Sequence, residues 1–140
     1  MSTVLWANHL LDGEVVSEGE DYYALYKHGS RLDAICKDLK LKPLTSFCDF
    51  TDVKFNNDEI ELPPGAKSTD DVMKVSGVWM EGAQAHEILL RVREHMEDKK
   101  PRFGLLKNEL PEVIEELAAC AKFAEDAMKS GAKFNFSVVQ

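Results

Sequence analysis

Cys48-Asp49-Phe50-Thr51-Asp52 puts a thiol and two carboxylates within one short run of the chain. Asp49 and Asp52 could share a hard cation, or divide the roles of acid and base if a pocket shifts one pKa. The same residue types also cap turns through their side chains, which is their commoner use. Cys48 stands beside a carboxylate, so nothing local lowers its pKa, and it would need a histidine from elsewhere to act as a nucleophile. The histidines are His9, His28, His86 and His95. None pairs with another at a short metal-ligand spacing, and His86-Glu87-Ile88-Leu89-Leu90 lacks the second histidine of a zinc-protease helix. His28 and His86 both stand at the edge of an apolar stripe, which makes them the two that a fold could carry to Asp49 and Asp52. One reading is therefore a small metal-dependent hydrolase or small-molecule-binding protein built on Asp49, Asp52 and His28 or His86, with the two aspartates as metal ligands.

The other motifs are weaker. Asn56, Asn57, Asp58, Glu59 and Glu61 have the oxygen content of a calcium loop without its alternation, glycine or distal glutamate. Lys99-Lys100-Pro101-Arg102-Phe103-Gly104, followed by Lys107, is a basic cluster able to meet a phosphate or an acidic peptide, and equally able to offset a helix dipole. The chain has no Walker lysine loop, no GxGxxG and no serine in a nucleophile elbow, so no cofactor is implied.

The 140 residues carry a formal net charge of −8, with 44% apolar and 30% charged side chains. That composition is of a folded soluble domain, not of a disordered chain. The acidity argues against nucleic acid, whose phosphates select clustered Lys and Arg. It suits a basic protein partner met by electrostatic steering. No apolar stretch approaches the length of a membrane span, and no charged leader precedes an apolar run. Cys36, Cys48 and Cys120 form no CxxC pair, which fits reduced thiols and a cytoplasmic setting. The leading expectation is a non-catalytic cytoplasmic binding protein that turns an acidic surface to a basic partner, as inhibitor or immunity proteins do by analogy. Glu112, Glu115, Glu116, Glu125 and Asp126 would supply that surface, together with Tyr23, which points away from the apolar stripe containing Tyr22 and Tyr26.

These residues need elements to position them. Leu110, Val113, Ile114, Leu117, Ala121, Ala124 and Met128 recur at steps of three and four, which predicts a helix. Asn108 can cap it, Pro111 fits its first turn, and Gly131 can close it. Phe134, Phe136 and Val138 then alternate with Asn135, Ser137 and Val139 as in a strand. Val4 to Ala7 and Glu14 to Ser17, joined by Asp12-Gly13, read as a hairpin. A helix is expected from Glu20 to Leu41, with Gly29 as a close contact or a break. Thr51 to Phe55 reads as a short strand or turn. Ser68 and Asp71 resemble a capping box for a helix over Thr69 to Val75, and another helix should run from Val78 to Lys99. The expected architecture is α+β, a single domain over 1–140. Its three main amphipathic helices pack on a small antiparallel sheet formed by the N-terminal hairpin and the C-terminal strand. The irregular segment 43–67 could also roof a pocket lined by Phe47, Phe50, Phe55 and Trp79.

Overall fold

A computed structural model describes residues 2–57 and 60–140. The chain is α+β, with its helices packed on a small sheet that joins both ends of the sequence. Strand β1 (Val4–Leu11) turns at Asp12-Gly13 into β2 (Glu14–Ser17), as the turn signal requires, with both turn residues at positive φ. β5 (Lys133–Val139) lies antiparallel beside β1 from Val4↔Val139 to Leu10↔Lys133. Its other edge takes two short strands, β3 (Cys48–Asp49) in parallel and β4 (Met80–Glu81) antiparallel. β5 therefore has partners on both sides, which protects it from pairing with another chain.

The helices follow their sequence signals with four corrections. The segment expected as one helix from Glu20 is two, α1 (Tyr23–Lys27) and α2 (Gly29–Asp38), broken at His28. Glycine at position 29 weakens a helix by about 1 kcal/mol relative to alanine, which favours the break there. Tyr22 is consequently buried, whereas Tyr26 leaves the core and is 43% exposed. The second correction concerns Thr51–Asn57, which forms a helix, α3. The Asp49 carboxylate accepts the Thr51 N–H at 3.0 Å and caps its start. In α4 (Thr69–Ser76) only half of the capping box forms. Asp71 accepts the Lys67 N–H at 2.8 Å, while Ser68 makes no side-chain cap. Finally, Val78 does not open a helix, because the backbone stays extended through β4 and α5 begins at Gly82 (Gly82–Lys99). A side chain at Gly82 would meet the Ala132 carbonyl oxygen at 2.6 Å, so glycine lets α5 start against the end of the next helix.

That helix, α6 (Leu110–Ser130), buries Leu110, Val113, Leu117, Ala121 and Ala124 as its periodicity predicts. Met128, at its end, is 38% exposed. Asn108 Oδ1 accepts the Leu110 N–H at 3.2 Å, and Gly131 closes the helix at φ 73°. One face of the sheet carries Leu5, Ala7, Phe134, Phe136 and Val138 into a single apolar core against α5 and α6. Phe47 stacks on Phe136 there at 5.6 Å, and Phe134 meets Phe136 edge-on at 5.2 Å. Trp6, Asn8, Asn135 and Ser137 point to the opposite face, where α3 and α4 close over them. No helix among the described residues is long and apolar enough to cross a membrane.

Candidate functional site

Two concave sites gather polar side chains, one at the start of α6 and one on the second face of the sheet. The first is an acidic cleft. The link from β2 to α1 is pinned to β1 by reciprocal backbone bonds between Leu5 and Tyr22, at 3.0 and 3.1 Å. That brings Glu18, Glu20 and Asp21 opposite Glu112, Glu115 and Glu116 on the first turns of α6. With Tyr22 and Ala119 these line a cleft of about 430 Å³. No lysine, arginine or histidine lines it among the described residues.

Parts of this cleft already have structural work. Glu116 accepts the N–H groups of Leu25 and Ala24 at 3.0 and 3.2 Å, so it caps α1 from another element. Burial raises its carboxyl above the ordinary range despite those bonds. The Tyr22 hydroxyl donates to Glu18 Oε1 at 2.5 Å, and burial followed by that bond pushes the phenol far up. Lys107 donates to Glu112 Oε1 at 2.9 Å and holds that carboxyl low. The second oxygens, Glu18 Oε2 and Glu112 Oε2, are both buried with no hydrogen-bond partner among the described residues.

The Lys107–Glu112 contact also ties the cleft to the loop before α6. Phe103 is fully buried there, with Arg31 over its ring at 4.4 Å. Arg102 donates to the carbonyls of Gly104 and Leu105, and Asn108 Oδ1 accepts the Phe103 N–H. Arg31 also donates to the Arg102 carbonyl. On this braced loop Leu105 and Leu106 are 97% and 101% exposed. The expected surface residues Glu112, Glu115 and Glu116 thus stand together, while Glu125 and Asp126 lie farther along α6. Glu125 is paired with Lys129 at 2.9 Å. Tyr23 is 44% exposed with Lys27 Nζ at 5.9 Å from its ring, and it is not part of the cleft lining.

The second site is a cavity of about 260 Å³ between the sheet and helices α3 and α4. Asp52 and Asp70 face it together with Trp6, Asn8, Ser17, Thr51, Thr69 and Ser137. Thr69 Oγ1 donates to Asp52 Oδ1 at 3.0 Å. Burial, then the nearby Asp52 charge, raises the Asp70 carboxyl. Asp49 lies apart from this cavity. It is 3% exposed, and its two oxygens accept the N–H groups of Thr51 and Val78 at 3.0 and 2.9 Å, a structural use. The two aspartates of the opening run are therefore not brought to one site.

No histidine joins Asp52 in the cavity lining. His28 approaches Glu109 Oε1 at 3.1 Å and packs edge-on to Phe103 at 5.1 Å. His86 is half-buried on α5, near Glu125. Among the described residues, no group of three or more His, Cys, Asp or Glu side chains is placed to hold a metal ion. The thiols are buried, and desolvation pushes Cys36 to about 11 and Cys48 to about 12. The aromatic residues expected around one pocket also separate. Phe47 is in the core, Phe50 is 57% exposed, and Trp79 donates to the Met73 carbonyl at 2.9 Å. The calcium-like run reaches Asp58 and Glu59, which lie outside the described residues.

Sequence patterning pointed to Glu112, Glu115 and Glu116 but missed their opposite wall, because Glu20 and Asp21 read as the start of a helix and Glu18 as part of the link before it. It also missed Leu105 and Leu106. Their signal was adjacent leucines between Gly104 and Lys107 in a stretch with no helical or strand period. Comparison of the chain with protein-family models, curated proteins and solved structures finds no match.

Proposed function

We propose that this chain is a protein-binding module that takes a basic segment of a partner into the acidic cleft. The observation that carries this reading is a cleft with Glu18, Glu20 and Asp21 on one wall and Glu112, Glu115 and Glu116 on the other, and no lysine, arginine or histidine among its described lining residues. An arginine or lysine entering there would meet carboxylates from both walls and pair with them. Leu105 and Leu106, braced beside the cleft through Lys107 and Glu112, give the same surface an apolar anchor. A small apolar centre with a charged border is the usual composition of a protein interface. The chemistry is recognition: the side chains described above form no nucleophile–base pair.

The test replaces both carboxylates by their isosteres. Glu18→Gln/Glu112→Gln keeps an acceptor for Tyr22 and for Lys107 while removing the charge. Binding of a fluorescent arginine-rich peptide, followed by anisotropy at low salt, should weaken by about tenfold or more, equivalent to about 1.4 kcal/mol. The wild-type affinity should also fall as salt rises. Equal affinity of the two proteins for the peptide, with melting curves unchanged, would overturn the proposal.

A further inference from the structure

The cavity on the second face of the sheet is separate from the acidic cleft and has a different composition. We infer that it is a binding site for a small organic ammonium, recognised by Asp52 and Asp70 as charge partners and by Trp6 as an aromatic wall. The two carboxylates come from different helices and face one space, and neither takes part in an ion pair among the described residues. Like charges held together in a partly desolvated place repel, and a cation between them removes that cost.

Trp6 decides which kind of cation. Its indole N–H is already given to Asp21 Oδ1 at 2.6 Å, so what it offers the cavity is ring surface. Ring surface attracts ammonium groups and gives nothing to a hydrated metal ion. The floor is fixed in advance. Asn8 and Ser137, 2% and 6% exposed, are joined at 2.8 Å, and Ser137 leans on Met73 Sδ at 3.2 Å. Thr69 holds Asp52 in place. At about 260 Å³ the space is smaller than the roughly 300–1,000 Å³ of drug-sized pockets, which limits the ligand to a few heavy atoms.

The probes are choline and ethanolamine, with glycerol as the uncharged control and calcium and magnesium chlorides as metals alone, each titrated at constant ionic strength. Trp fluorescence and calorimetry should register both ammonium probes and not glycerol. Asp70→Asn and Trp6→Leu should each weaken them by about tenfold. Affinity should also fall as the pH drops through the raised Asp70 pKa, because protonation removes one of the two charges. Should Asp70→Asn fail to fold, Asp52→Asn and Trp6→Leu carry the same expectation. Two outcomes would overturn the assignment: no response to either ammonium at about 10 mM, a concentration that detects even millimolar affinity, or a response to the metals alone. Binding unchanged in the folded variants would overturn it as well.

Discussion

The two faces of the sheet are built from alternate residues of the same strands, yet they are put to opposite uses. Leu5, Ala7, Phe134, Phe136 and Val138 fill one face with apolar side chains against α5 and α6. On the other, Asn8, Asn135 and Ser137 are buried just as deeply and bond to one another and to Val78 and Met73. Apolar side chains there would have spared their desolvation. The difference teaches that the first face pays for the fold, while the second holds a fixed polar arrangement that ends in an open cavity. The same contrast recurs at α6. Its inner stripe is apolar, and its outer first turns carry Glu112, Glu115 and Glu116 into the acidic cleft.

Substitutions on each face should separate these roles. Phe136→Ala should have the larger effect, about 3–5 kcal/mol, read from urea unfolding, because it removes a fully buried ring stacked on Phe47 and leaves a cavity. Asn135→Ala should cost less, about 1–3 kcal/mol, since it strands the Val78 carbonyl and one Asn8 contact without removing much apolar contact. Equal losses at the two positions would mean that the polar face carries as much of the fold as the apolar one. The distinction drawn between them would then fail.

Much of this was legible in the residues, and the limits have physical causes. The alternation of 134–139 and the α6 stripe located the strand, the helix and the core, because one face of each is apolar and period alone reports that. The same alternation places Asn135 and Ser137 on the other face without saying whether that face is covered. Burial of a polar residue depends on what packs over it, and the cover comes from α3 and α4, whose docking on the sheet no local pattern reports. Asp49 and Asp52 are close in sequence but part in space, since Asp49 turns to cap α3 while Asp52 rides on it. The acidic cleft was half visible. Its α6 wall follows from spacing, whereas its other wall depends on the long-range bonds between Leu5 and Tyr22.

The most direct test of the central claim is an amide chemical-shift map of the ¹⁵N-labelled chain titrated with the arginine-rich peptide. The account predicts salt-sensitive shifts confined to residues 18–24 and 105–119, with residues 51–56 and 69–73 around the cavity unmoved. Shifts scattered over every acidic surface, or centred on Glu125 and Asp126 instead of the cleft, would contradict it.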